Sequence, residues 1–269
     1  MIFFLVVLNL VSTFFYGFGI KALLPVVIAV ATTTILDSAI SYFKSKTLEF
    51  PKSALISGLF IGGLLTQDLQ WYVYVLAGAI AILSKHLIKI QQKHLFNPAN
   101  FGVLLVSVIF GAAHTWWISS PLVLVLIFGI FIIWRLRRIE LAIGFLAGYY
   151  LINSAIELLQ GAQFPEIYST IINGGVVYFF SMFMLIEPKT HPARNRIAYG
   201  IFVAALLIGL NQYAVSFENA VASFITRHGL PLALAIGNIF VPLMNKLNFE
   251  FKKKEQRPSI AETLKREGY

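Results

Sequence analysis

The stretch WYVYVLAGAIAILSKHLIKI, residues 71–90, decides how this chain is read. Trp71 to Ser84 carry no charge, aromatic residues stand at one end, and Lys85, His86 and Lys89 stand at the other. This is the pattern of a membrane-spanning helix. About 20 mainly apolar residues cross the hydrocarbon core, aromatic side chains settle at an interface, and lysines collect on the cytoplasmic side.

Similar runs recur outward from that stretch, between Ile2 and Leu243. Spans are expected at 2–18, 22–42, 53–67, 71–90, 98–113, 118–134, 140–158, 167–187, 196–215 and 229–245. Composition agrees: of 269 residues, 58% are hydrophobic and 12% charged, with a mean hydropathy of +0.78. A soluble domain carries about 25% charged residues, so half the usual solvating surface is missing. The expected fold class is all-α: a polytopic membrane protein of ten transmembrane helices. Residues 1–247 form the transmembrane domain, and 248–269 form a basic cytoplasmic tail too small for a soluble catalytic domain. Ile2–Phe15 is read as the first span, because no basic residue precedes it and no cleavage site follows.

Lysine and arginine test this path. One side of it holds Lys44, Lys46, Lys52, Lys85, Lys89, Lys93, Arg135, Arg137, Arg138, Lys189, Arg194, Arg196 and the seven basic residues of the C-terminal end; the other holds only Lys21 and Arg227. A ten-span path with both termini in the cytoplasm accounts for the bias. The net charge of +9 is then a matter of topology and membrane lipid, and no nucleic-acid partner is expected. The tail from Phe251 to Arg266 suits anionic lipid. With no cysteine, disulfides and thiolate-held clusters are excluded. No metal-ligand spacing, phosphate-binding glycine loop or nucleophile triad is visible, so neither a metal site nor a catalytic residue is assigned.

The order of spans suggests two inverted sets of five, 1–113 and 118–247. An odd number of crossings inverts the second copy. Spans three and eight are both rich in small residues, Ser57, Gly58, Gly62 and Gly63 against Asn173, Gly174, Gly175 and Ser181. Spans five and ten each open near a proline, Pro98 or Pro231, a few residues after His94 or Arg227. Small residues also serve close helix packing, and that reading stands beside the first.

Two polar segments share the basic side. In His94-Leu95-Phe96-Asn97-Pro98-Ala99-Asn100-Phe101-Gly102, Pro98 suits a first helical turn and Asn97 its N-cap. The free amides of such a turn suit an anion or a ring carbonyl. Phe96 and Phe101 could flank a planar ring; a capped helix entry with interfacial aromatics explains the same residues. The second segment, Glu187-Pro188-Lys189-Thr190-His191-Pro192, places a carboxylate at the end of an apolar span, which is costly unless paired. Asp37, inside the second span, is a candidate for an ion pathway; a helix-packing role fits it equally.

The segment Asn97-Pro98-Ala99-Asn100-Phe101-Gly102 resembles the NqrB/RnfD family, membrane subunits of sodium-pumping NADH:quinone oxidoreductase and of the Rnf electron-transport complex. Ser53-Ala54-Leu55-Ile56-Ser57-Gly58 with Gly62-Gly63-Leu64-Leu65, Ile186-Glu187-Pro188-Lys189-Thr190, and Gly237-Asn238-Ile239-Phe240-Val241-Pro242-Leu243 resemble further family segments, in order. The resemblance implies a ten-helix inverted repeat similar to urea and ammonium channels, located in the cell inner membrane. It also implies bound flavin, electron transport coupled to Na⁺ or H⁺ movement, and partner redox subunits, with this chain as an electron-transfer subunit. The family's covalent FMN sits on a Ser-Gly-Ala-Thr motif that this sequence lacks. A noncovalent riboflavin or FMN is expected instead, with Lys85, His94, Asn97, Pro98, Asn100, Phe101, Gly102, Glu187 and Thr190 as its candidate ligands. A channel or transporter for a small solute or for flavin itself, without redox chemistry, is the alternative.

Overall fold

A computed structural model describes residues 1–46, 50–90 and 92–255, with side chains described as far as residue 246. The basic tail expected at 248–269 lies outside the described side chains. The described chain is almost wholly helical: α1 (Ile2–Phe15), α2 (Leu23–Ser45), α3 (Lys52–Leu64), α4 (Trp71–Leu87), α5 (Pro98–Phe110), α6 (Leu122–Arg135), α7 (Ile139–Leu159), α8 (Phe164–Ile172), α9 (Gly175–Phe179), α10 (Arg196–Ser216) and α11 (Ala220–Glu255). A two-stranded hairpin, β1 (Lys89–Ile90) with β2 (Lys93–His94), joins α4 to α5.

The helices are less uniform than ten equal spans. Four segments are long and apolar enough to cross a bilayer: Ile20–Ser45, Ile139–Leu159, Arg196–Ser216 and Ala220–Lys246. α8 with the α9 segment through Met184, bent by 47° between them, makes a fifth when the pair is taken as one broken span. α1, α3, α4, α5 and α6 have 13 to 17 residues. At 1.5 Å per residue they reach roughly 20–26 Å, short of the roughly 30 Å hydrocarbon core.

The reason for the short helices is visible in the backbone hydrogen bonds. α3 stops at Leu65, which turns to extended geometry, and α5 stops at Gly111 with φ +63°. The two loose ends then satisfy one another: Thr66 N donates to Ala113 O at 3.1 Å, and Thr115 and Trp116 donate to Leu64 O at 3.0 and 3.2 Å. Non-helical backbone at membrane depth is tolerated only where protein satisfies it. Comparable interruptions occur later, at Asn173–Gly174 between α8 and α9 and at His228 within α11, where φ is −127°.

Packing follows small residues. A β-carbon on Gly58 would come within 2.5 Å of Val30 Cα, so α3 lies backbone to backbone against α2. Gly144 and Gly200 bring α7 and α10 together in the same way. Close approach of this kind supplies the dispersion contacts that hold helices together in lipid, where no hydrophobic drive separates them from acyl chains. Buried rings, among them Phe179, Phe180, Phe183, Phe145 and Trp117, belong to the hydrophobic core.

Candidate functional site

α5 begins as its sequence predicts. Asn97 is the N-cap, its Oδ1 accepting from Asn100 N at 3.1 Å, and Pro98 occupies the first turn. The other end of the Asn97 amide donates to Met184 O at 3.2 Å. Met184 closes a single π-helical turn, Phe180–Met184, at the end of the broken span. One side chain therefore ties the start of α5 to the segment that leads into Glu187.

That junction is reinforced from α11. Asn238 is fully buried. With its amide oriented to satisfy its neighbours, its nitrogen donates to Thr190 O at 2.9 Å and to Tyr199 Oη at 3.0 Å, while its oxygen accepts from Asn97 N at 3.2 Å. Sequence reasoning did not single out Asn238 as a site residue, although an amide amid the apolar run of the last span was the available signal.

Both polar segments line one cavity of about 220 Å³. His94, Asn97 and Pro98 come from one, and Glu187, Pro188 and Lys189 from the other, with Ser53, Ser57 and Lys85 completing the polar wall. Ile56, Phe60 and Phe183 make the apolar wall. At its rim, His94 Nε2 lies 2.7 Å from Glu187 Oε1. Neutral His94 donates through Nε2 and keeps Nδ1 as an acceptor; a proton added at Nδ1 makes an ion pair with Glu187. A pocket of about 50 Å³ shares His94 and Lys189 with the cavity and continues to Lys93 and Asn245.

Lys85 is committed elsewhere. Its Nζ donates to both oxygens of Asp37 at 2.8 Å and to Ser53 Oγ at 2.6 Å, which uses all three ammonium protons. Asp37 is 4% exposed and also meets His86 Nε2 at 2.7 Å. The proposed ion-pathway carboxylate and the proposed cofactor lysine are thus partners in one partly buried cluster that joins α2, α3 and α4.

Other candidates stand away from the cavity. Phe96 and Phe101 do not flank a gap: their rings stack on each other, centroids 4.7 Å apart and 18° from parallel, leaving no room for a third ring between them. Asn100 Nδ2 donates to Pro231 O at 2.9 Å and so faces α11. Gly102 allows α5 to touch the Ala77 carbonyl of α4. Thr190 Oγ1 donates to Glu187 O within its own turn, at 3.4 Å.

The cavity suits a planar, amphipathic ring in part. Its volume lies below the roughly 300–1,000 Å³ usual for ligand pockets. A ring carrying a polyol or phosphate chain fits only if that chain leaves the cavity.

A second cavity, about 270 Å³, lies toward the end of the molecule that holds Arg227. It is lined by His114, Trp116, Tyr149, Asn211, Thr226 and Arg227, among others. Nothing in the sequence pairs His114 with His228, 114 residues apart, yet the fold brings them to 2.8 Å.

A model of the NQR2, RnfD, RnfE family matches residues 1–123. Among curated proteins, the chain is similar to a subunit of the ion-translocating oxidoreductase complex of Yersinia enterocolitica, with 30% identity over 111 residues. The alignment covers 40% of this chain and 31% of that relative, so it spans about a third of the relative's length.

Proposed function

Because residues 1–123 match a model of the NQR2, RnfD, RnfE family, we propose that the chain is a membrane subunit of that family that holds a noncovalent flavin and takes part in electron transport. The observation that carries this reading is the cavity built jointly by His94, Asn97 and Pro98 and by Glu187 and Lys189. Ile56, Phe60 and Phe183 would hold the apolar edge of the ring, and Ser53, Ser57 and the His94–Glu187 pair its polar edge. The polar chain of a riboflavin or FMN would leave through the pocket at Lys93 and Lys189. When bound, a flavin supplies the electron-accepting chemistry that the chain's own side chains lack. His94 can take a proton beside Glu187 and so offset the charge of an added electron. Electrons would come from, and go to, partner redox subunits.

The same reading places both termini in the cytoplasm of the cell inner membrane and arranges the helices as two inverted sets of five. The two cavities support that arrangement. The first is lined by the start of α3, the start of α5 and the chain leaving α9; the second by α9, by the α11 break and by the loop that pairs with the end of α3. Opposed cavities would also serve coupled Na⁺ or H⁺ movement, or, in a second reading, passage of a small solute without redox chemistry.

The test is purification in mild detergent followed by a visible spectrum and acid precipitation. A yellow protein whose flavin enters the acid supernatant is expected; colourless protein that gains no flavin on addition of riboflavin or FMN would overturn the proposal. Liposome flux that needs no reductant would favour the second reading.

A further inference from the structure

A cavity larger than either of these lies away from them, on the basic face where α6 ends and α7 and α10 begin. It is an open groove of about 730 Å³ lined by Phe131, Trp134, Arg135, Arg137, Glu140 and Arg196, with Ile139 at its edge. Arg137 adopts a left-handed backbone, φ +55°, uncommon for a residue with a side chain. That turn directs its carbonyl at two guanidinium groups: Arg138 Nη1 donates to it at 3.3 Å and Arg196 Nη1 at 3.4 Å. Arg196 is further held by Nη2 on Ala193 O at 3.3 Å.

Four arginines thus share one corner, and none of the ion pairs among the described residues involves them. Glu140 lines the groove without coming within ion-pair distance of any of them. Nε of Arg138 and Nε of Arg196 are buried with no hydrogen-bond partner. Burial and the neighbouring Arg196 both disfavour the charge on Arg138. Like charges gathered this way repel unless an anion lies among them.

The surroundings say what kind of anion. From the groove an exposed apolar strip runs along α6 through Trp134, Phe131, Ile130 and Ile127, and Ile143 of α7 and Ile201 of α10 are exposed as well. A basic head site opening onto an apolar strip has the polarity of a phospholipid, with phosphate at one end and acyl chain at the other. Basic pockets between helices on the cytoplasmic side bind anionic headgroups in this manner. An acidic protein segment would match the arginines but leave the strip uncovered.

We infer that this groove is a specific site for one anionic phospholipid, its phosphate held by Arg135, Arg137 and Arg196 and its acyl chain laid along Phe131 and Trp134. Arginine's planar donors suit phosphate oxygens in pairs. Glu140 is placed to accept from a headgroup hydroxyl, which favours a polyol headgroup.

Native mass spectrometry of the full chain in detergent, titrated with phosphatidylglycerol or with phosphatidylcholine of the same acyl length, tests the inference. One phosphatidylglycerol adduct is expected to persist at activation energies that strip phosphatidylcholine. Arg135→Gln with Arg196→Gln should weaken it about tenfold or more, the scale of losing charge-assisted hydrogen bonds. Trp134→Ala should weaken it less, while Lys252→Gln, Lys253→Gln and Lys254→Gln in the tail should leave it unchanged. Variants count only if they remain monodisperse on size exclusion, and Arg196→Lys provides a milder change where the double variant misfolds. Equal retention of the two lipids, loss of the adduct only with the tail variants, or displacement by millimolar inorganic phosphate would overturn the inference. So would saturation of the groove by an acidic partner protein with no lipid retained.

Discussion

His228 Nδ1 and His114 Nε2 stand 2.8 Å apart, and Trp116 Nε1 donates to the other nitrogen of His114 at 3.0 Å. An indole nitrogen only donates, so His114 Nδ1 must be an acceptor and its proton must lie on Nε2. His228 Nδ1 is then the acceptor of the pair, and its own proton lies on Nε2. Geometry alone fixes both tautomers, and the chain from Trp116 through His114 to His228 holds only while His114 is neutral.

Acid should therefore weaken the fold. Burial, and secondarily His228, pushes His114 down to about 4, and burial does the same to His191 in the loop after α9. An unfolded histidine takes its proton near pH 6.5. Between about pH 6.5 and 4 the unfolded chain binds more protons than the folded one, so stability falls as pH drops through that window. Thermal unfolding in detergent at pH 7.5, 6 and 5 should show the decline. His114→Gln with His191→Gln should flatten it; an unchanged slope in that variant would assign the decline to other groups.

Asp37→Asn should be among the most damaging single changes in the amino-terminal half. It leaves the partly buried Lys85 beside Ser53 without its carboxylate partner. Breaking a buried pair by removing one partner costs about 3–5 kcal/mol, whereas replacing both by apolar groups is often nearly neutral. Asp37→Leu combined with Lys85→Met should recover much of the melting temperature lost by Asp37→Asn. If the double variant is as unstable as the sum of both single changes, the pair is not the source of the effect.

Gly58→Ala should destabilise by roughly 1–3 kcal/mol, the usual cost of overpacking. The obstacle is the Val30 backbone, which cannot rotate aside as a side chain can. Gly209 faces open space, and Gly209→Ala should be neutral or slightly stabilising, since alanine is favoured over glycine in a helix by about 1 kcal/mol. Melting temperatures of the two variants in one detergent make the comparison.

Glu187→Gln and Glu187→Ala separate charge from geometry at the cavity. Gln can still accept from His94 Nε2 but no longer balances a protonated imidazole. If the cavity holds flavin as proposed, Glu187→Gln should keep bound flavin and shift its reduction potential, while Glu187→Ala should lower flavin occupancy. Equal flavin content and potential in both variants would remove the dyad from the site.

Much of the candidate site was legible along the chain because its signals are local. The Asn97-Pro98 cap and the Glu187-Pro188 turn each follow from the chemistry of adjacent residues. Their meeting was not legible, since it depends on Asn97 reaching Met184, 87 residues away. Phe96 and Phe101 show the opposite failure. Spacing put two rings near a helix entry, but only the packed structure shows that each ring is the other's neighbour.

By itself, the sequence determined that this chain lies in a membrane, which face is basic and where its helices begin, because hydropathy, charge and capping act within a few residues of their source. The uncharged run from Trp71 to Ser84 before Lys85 settled that class. Only the tertiary structure decided where that run ends. It bound Lys85 to Asp37, stopped α3 and α5 short against one another, and joined His114 to His228. Backbone groups and charges removed from water must find partners wherever the fold offers them, and such partners carry no signature in neighbouring sequence.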